Sequence, residues 1–241
     1  MCKYFFSILL AAFLGLTTYA QDKVSKKIKV DTVKNKFLPT GLRVGLDVIS
    51  LIRGQDQSFK GWEINLDTDF SRYYFTVDYG HWATNQIVAN SDTLISRGNY
   101  QNDGSYLRVG ADVNFLLKDP DKNMFFFGFR YGMSSFSEAV QYHNSNYYYP
   151  KFGQYKADLT NVSVNGHWFE ITTGLRVKIY KAFWMGYTAR LKFAPSVSGA
   201  TNFASYDMPG YGIVPMTPYY GFNYQLFWRF GWKKPQRKAK N

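Results

Sequence analysis

Cysteine is almost absent from this chain, and the one present, Cys2, sits before an apolar run from Tyr4 to Leu16. Once that segment is removed, a disulfide framework, a thiol nucleophile and a cysteine metal site are all excluded, and no lipid-bearing cysteine follows. Histidine is nearly as scarce, with three in 241 residues, too few for a histidine-rich metal centre. No phosphate loop, dinucleotide fingerprint or HExxH helix occurs. Neither a cofactor nor a metal is expected. Long apolar runs are missing too: Tyr4–Leu16 is too short to cross about 30 Å of hydrocarbon as a helix. With Lys3 before it and Thr18-Tyr19-Ala20 after it, the run reads as a secretory signal.

The net charge of +12 suggests a polyanionic partner, but its distribution argues otherwise. Residues 21–39 carry net +4 and residues 233–241 net +5, leaving +2 for residues 40–232. A nearly neutral body between two basic tails suits an anionic membrane surface better than a nucleic acid, and no nucleic-acid partner is expected. The domain plan is a signal peptide over 1–20, a basic periplasmic segment over 21–39, a folded body over 40–232 and a basic periplasmic tail over 233–241.

What the body has in abundance is strict alternation. In GHWFEITTGLRVKIYKAFWMGYTARLKF (Gly166 to Phe193), Phe169, Ile171, Thr173, Leu175, Val177 and Ile179 share one face, and Trp168, Glu170, Thr172, Gly174, Arg176 and Lys178 the other. After a turn at residue 181, Phe183, Met185, Tyr187, Ala189, Leu191 and Phe193 repeat the pattern. Six more runs follow the same rule, opening near Gly41, Trp62, Tyr73, Leu107, Met124 and Tyr220. The first keeps Leu42, Val44, Leu46 and Val48 on one face. Short connections near residues 71, 119 and 181 alternate with long ones, at about Arg53–Lys60, Ala83–Gly104, Ser134–Asn165 and Pro195–Pro218. The pattern predicts an all-β fold: an eight-stranded antiparallel up-and-down transmembrane β-barrel of outer-membrane type, with short periplasmic turns and long external loops.

A soluble lipocalin-like lipid carrier also has eight strands, so the charged face decides. It holds Arg43, Asp47, Glu63, Asp67, Asp69, Asp78, Arg108, Asp112, Arg130, Glu170, Arg176, Lys178, Arg190, Lys192 and Arg229, eight bases against seven acids. Such near-balance is what a narrow lumen of paired charges requires, because an unpaired buried charge costs several kcal/mol. Gly45, Gly110, Gly128, Gly132, Gly174 and Gly186 lie on the same face, where they make room for guanidinium groups. Trp62, Trp82 and Trp168 fall at the loop ends of strands and Trp184, Trp228 and Trp232 at the turn ends, which suggests two interfacial girdles.

Three stretches, FFFGFRYGMSSF (Phe125 to Phe136), the Gly166–Phe193 hairpin and MPGYG (Met208 to Gly212), with looser similarity in SYLRVGADVNFLL (Ser105 to Leu117), resemble an uncharacterised family of Bacteroidota outer-membrane barrels, domain-of-unknown-function family 6048. The resemblance spans most of the mature chain and implies export and a small barrel. It implies no activity, substrate or functional residue. The tail KKPQRKAKN departs from the habit of such barrels of ending on the last aromatic strand.

Candidate chemistry is sparse. Ser134 and Ser135 follow the fifth strand, and His167 opens its partner, so a base beside a hydroxyl could activate it for attack on an ester, as in rim-located lipid A-modifying esterases and acyltransferases. Strand capping by the serines and an interfacial role for His167 explain the same residues. Asp67 and Asp69 share a face and could hold a cation, but ion pairing with the lumenal arginines is the favoured use. Tyr142, Tyr147, Tyr148, Tyr149, Phe152 and Tyr155 form an aromatic loop cluster, and Asp31-Thr32-Val33 and Asp92-Thr93-Leu94 match a short O-glycosylation pattern. The expected function is a monomeric outer-membrane barrel that acts through its external loops and does not conduct. Its expected partners are outer-membrane lipid and lipopolysaccharide, the barrel-assembly machinery, and an unknown extracellular or periplasmic molecule.

Overall fold

The alternating runs form strands, and the strands close into a ring. The computed structural model describes residues 39–89, 96–116, 119, 121–149 and 153–232. The expected signal peptide, most of the basic segment and the basic tail lie outside the described residues. β1 (Gly41–Asp47) runs into a short helix, α1 (Val48–Arg53). Then come β2 (Phe59–Phe70), β3 (Tyr73–Ala89), β4 (Ser96–Asn114), β5 (Met124–Tyr149), β6 (Gly153–Tyr180) and β7 (Phe183–Ser198). A small hairpin of β8 (Asp207–Met208) and β9 (Gly212–Ile213) precedes β10 (Tyr219–Gly231). The ring order is β1-β10-β7-β6-β5-β4-β3-β2, antiparallel throughout. Leu42 of β1 lies between Phe230 of β10 and Thr68 of β2, so the seam is closed by backbone pairing.

Period-two geometry then sorts every side chain. The apolar set faces outward: Phe75, Phe127 and Phe129 are each about half exposed, and Trp228 and Phe230 likewise. The charged set faces inward and is buried. Ten of its members form one continuous chain of alternating sign. Arg43 Nε lies 2.7 Å from Asp67, and Asp67 is shared with Arg176 Nη1, also at 2.7 Å. Arg176 reaches Asp112 at 3.4 Å, Asp112 pairs with Arg130 at 2.9 Å, and Arg130 pairs with Asp78 at 2.6 Å. From Asp78 the chain passes to Arg190 at 3.2 Å and on to Glu170 at 2.9 Å. It ends where Arg108, 3.5 Å from Glu170, pairs closely with Glu63. Five guanidinium groups meet five carboxylates.

Glycine makes that density possible across the strand pairs. Gly110 lies opposite Arg130, Gly186 opposite Arg176, and Gly132 opposite both Arg108 and Trp168. A Cβ on Gly132 would collide with the Trp168 ring. The room expected beside the arginines is found at Gly110 and Gly186, whereas Gly45, Gly132 and Gly174 admit the rings of Phe227, Trp168 and Phe126, and Gly128 borders Asp112.

Several sequence expectations need correction. Val48 does not extend β1, because Asp47 caps α1, accepting from Ser50 N at 3.2 Å and Ser50 Oγ at 2.5 Å. Asp47 also accepts from Asn223 Nδ2 and Tyr224 N, so it is buried, without an ion pair among the described residues and outside the charge chain. Arg229 and Asp69 sit apart from that chain as well, pairing with each other at 3.0 Å beside Lys122 at the turn end. Lys178 pairs with Asp121 at 2.9 Å. Trp168 and Trp184 are buried, and Trp82 is half-buried and donates Nε1 to Thr84 Oγ1 at 2.5 Å. These three occupy inward positions, and the exposed tryptophans at the strand ends are Trp62, Trp228 and Trp232. Finally, strands β3 to β6 continue far beyond the expected loop starts at Ala83 and Ser134. Above the apolar zone the strict alternation is lost, with exposed Ile87, Leu159 and Val162 standing among polar residues, and hydrogen-bonded pairing continues without a periodic apolar signal.

Removing a link from the charge chain should be costly, whereas removing a rim pair should not. Arg130→Ala leaves Asp78 and Asp112 buried without their shared cation and is expected to cost about 3–5 kcal/mol. Lys178→Ala, whose pair is partly exposed, should change stability by less than about 1 kcal/mol. Thermal unfolding of the purified variants, followed by the loss of heat-resistant gel migration, checks both; equal stability of the two would contradict the network's role.

Candidate functional site

The elements that stand above the ring converge on one place, the mouth at the loop end. The segment between β7 and β10 does not hang outside. It folds back into the lumen and seals it. Met208 and Tyr211 are fully buried and pack against Tyr106, Phe136, Val164 and Trp168. Burying two such side chains contributes about 1.5–3 kcal/mol each. Gly166 leaves the space that Met208 Sδ occupies, and Gly210, at φ +81°, lets the chain turn against Tyr106 and Trp168 where a Cβ would not fit.

Polar latches hold this plug. Lys192 donates Nζ to the carbonyls of Gly210 (2.7 Å) and Tyr211 (2.8 Å). Tyr100 donates its hydroxyl to Glu138 at 2.7 Å and accepts from the Asp207 amide at 3.1 Å. Asn102 Nδ2 reaches the Asp207 carbonyl at 2.6 Å. Glu138 also accepts from Asn161 (2.9 Å) and Ser205 (3.1 Å). These partners come from the inward positions of the extended parts of β4, β5 and β6, so the tall strands act as the plug's backing wall. Burial pushes the Asp207 carboxyl above its ordinary value, against smaller opposing contributions from Thr84, Asn102, Lys192 and Arg53. Burial and the neighbouring Glu138 charge also raise the Tyr100 phenol, which stays protonated as a donor.

Between the plug, α1 and the start of β10 lies a cavity of about 210 Å³. Its lining includes Arg53, Phe59, Trp82, Gln86, Lys192, Asp207 and Tyr219, with Glu63, Tyr106 and Arg108 also lining it.

The residues singled out for acyl chemistry are placed apart. Ser134 is buried and points into the lumen, whereas His167 is exposed on the outer face, opposite Met133. Ser135 shares the outer face with His167 only as a diagonal neighbour across the Ser135↔Asn165 pair, and His167 packs near the Tyr131 ring. Neither Ser134 nor Ser135 forms a couple with His167; on the neighbouring β3–β4 pair His81 Nδ1 lies 3.4 Å from Ser105 Oγ, and its Nε2 lies 3.7 Å from Asp103. Among the described residues no group of three or more His, Cys, Asp or Glu could hold a metal ion. The side chains of Tyr142, Tyr147, Tyr148, Tyr149 and Tyr155, with Phe152 and both short glycosylation-like motifs, lie outside the described residues. Sequence reasoning missed the plug. Its one signal was Met-Pro-Gly-Tyr-Gly, a turn-forming pair flanked by large apolar side chains in a segment otherwise read as a loop.

Because Asp207 binds its proton more tightly when docked than when free, docking is strongest below the free carboxyl value and weakens as pH rises towards the docked value. Amides of residues 203–214 should therefore be better protected from hydrogen exchange near pH 4 than near pH 7, relative to intrinsic rates. Asp207→Asn should remove that difference and give strong protection throughout; a variant with the wild-type pH dependence would show that Asp207 is not responsible.

Two solved structures with a related course of the chain are CarO2 of Acinetobacter baumannii, at 9% identity over 82% of this chain and 100% of that one with a TM-score of 0.42, and CarO of the same organism, at 10% identity over 83% and 100% with a TM-score of 0.36. Comparison with curated proteins finds no match. The family described as Domain of unknown function (DUF6048) matches residues 1–233, and the chain belongs to that family.

Proposed function

We propose that the protein is an outer-membrane barrel, closed to conduction and without enzymatic activity, whose extended β3–β6 wall and plugged mouth present a binding surface to the outside. The observation that carries this reading is the belt of outward side chains. From Phe125 to Met133 the outward positions of β5 are Phe, Phe, Phe, Tyr and Met. At about 3.4 Å per residue and a tilt near 40°, that run covers roughly 23 Å, close to the apolar band of about 25 Å that such barrels present to lipid. No outward position in the belt is charged, and above it the outward residues become His81, Ser105, Ser135 and His167. In water so large an apolar surface would drive association; in a bilayer it is the stabilising contact.

The same inside-out arrangement argues against the other readings. A lipid carrier needs an apolar interior, and this interior is a chain of charges. An esterase needs its hydroxyl and base together, whereas Ser134 and His167 occupy different faces and Ser135 meets His167 only diagonally. A pore needs an open lumen, and this one is occupied by five guanidinium groups, with the Thr40–Asp69–Lys122–Arg229 cluster at the turn end and the plug at the mouth.

Full-length protein expressed in a Gram-negative host should partition with the outer membrane and shift its gel migration on boiling; recovery in the soluble periplasm would overturn the assignment. In planar bilayers it should give no discrete conductance steps, and a variant lacking residues 203–214 should stay silent, because the charge chain still fills the barrel. Lipid A from cells with and without the protein should have the same mass, and a mass shift abolished by His167→Ala would establish the enzymatic alternative.

A further inference from the structure

The mouth cavity has a lining that specifies the kind of molecule it can hold. Its charged groups are balanced: Arg53, Arg108 and Lys192 against Asp47, Glu63 and Asp207. Three of them are already committed, Glu63 and Arg108 to each other and Asp47 to four donors from Ser50, Asn223 and Tyr224. The rest keep hydrogen-bonding capacity. Arg53 makes no hydrogen bond or ion pair through its guanidinium among the described residues, and instead lies over Phe59, 4.2 Å from the ring centroid, and near Trp82 at 5.9 Å. Asp207 accepts from Thr84 with one carboxylate oxygen and is also approached by the Asn102 amide, and its carboxylate has lone pairs to spare. Lys192 spends two bonds on plug carbonyls and faces Tyr219 at 5.6 Å. Gln86 stands at the rim with its amide unengaged among the described residues.

Free donors and a free acceptor thus converge beside aromatic faces, in a space of about 210 Å³ with no net charge in its lining. Charge balance disfavours an ion of either sign. Aromatic planes favour a ring with an apolar C–H face, and the mixed donors and acceptor favour hydroxyls, each of which both gives and takes a hydrogen bond. The volume admits one ring. We propose that this cavity binds a single neutral sugar ring, stacked on Trp82 or Tyr219 and hydrogen-bonded by Arg53, Gln86 and Asp207. This deepens the binding role proposed above, and rests on it only for the side of the membrane to which the mouth opens.

The test uses the full chain purified in an amine-oxide detergent, which carries no sugar head group to compete. Methyl glycosides of glucose, galactose and mannose serve as probes, with glucuronate and glucosamine as charged controls, read by saturation-transfer NMR and Trp fluorescence. At least one neutral glycoside should receive saturation from the protein and bind better than both charged controls. Arg53→Ala and Gln86→Ala, both at exposed positions and both retaining heat-modifiable migration, should weaken it by about tenfold. Absence of transfer to all three glycosides, unchanged affinity in both variants, or preference for a charged control would overturn the assignment. Fractionation reports on the membrane reading and this titration on the sugar site, so the failure of one is distinct from the failure of the other.

Discussion

Everything in this barrel depends on the pairing of guanidinium with carboxylate in a space that excludes water. A ring of eight strands encloses a lumen only wide enough for side chains, and once the apolar face is committed outward, period-two geometry sends the charged residues in. A buried charge is tolerated only with a partner. The alternation Arg43, Asp67, Arg176, Asp112, Arg130, Asp78, Arg190, Glu170, Arg108, Glu63 gives each charge a partner of opposite sign and most of them two. The members come from seven of the eight barrel strands, so the network is also the tertiary structure. The lumen holds only small apolar clusters, at the mouth and around Tyr74, Met124 and Phe126, and Arg176, reaching from β6 to Asp67 on β2, spans the diameter between them.

The sequence was most readable where one physical rule acted alone. Inside the apolar zone, lipid-type and lumen-type positions must alternate, and Phe169, Leu175, Met185 and Tyr187 could be assigned outward, and Glu170, Arg176 and Arg190 inward, from parity. Legibility failed where that rule no longer applied. The upper parts of β3 to β6 carry polar residues on both faces, so Tyr100, Asn102, Glu138 and Asn161 gave no periodic signal, although backbone pairing continues through them. Trp168 and Trp184 were misread because tryptophan at a strand end usually marks an interface; here Gly132 opens a lumenal seat for one, and the other lies beside the Arg43 guanidinium at 5.3 Å.

The candidate site was the least legible part, because it is assembled from segments far apart in the chain. Asp47 has the side-chain parity of a lumenal charge and becomes a helix cap only because the next residues turn away from the sheet. Arg53 acquires its orientation from Phe59 and Trp82, on two different strands. Met208 and Tyr211 become core residues only because tall strands stand behind them. None of these relations is local, and none has a period.

At the other end of the barrel, one carboxylate gathers four donors from three places. Asp69 of β2 accepts from the Thr40 amide (2.9 Å) and hydroxyl just before β1, from Lys122 before β5 (3.0 Å), and from Arg229 of β10 (3.0 Å). Thr40 precedes the first strand and Arg229 lies in the last, so the full set of donors exists only after both ends of the barrel sequence have met. The cluster is therefore a chemical record of completed closure: an intermediate with β10 still unpaired keeps Asp69 short of a cation, and arrival of the final strand both zips the seam and satisfies the charge.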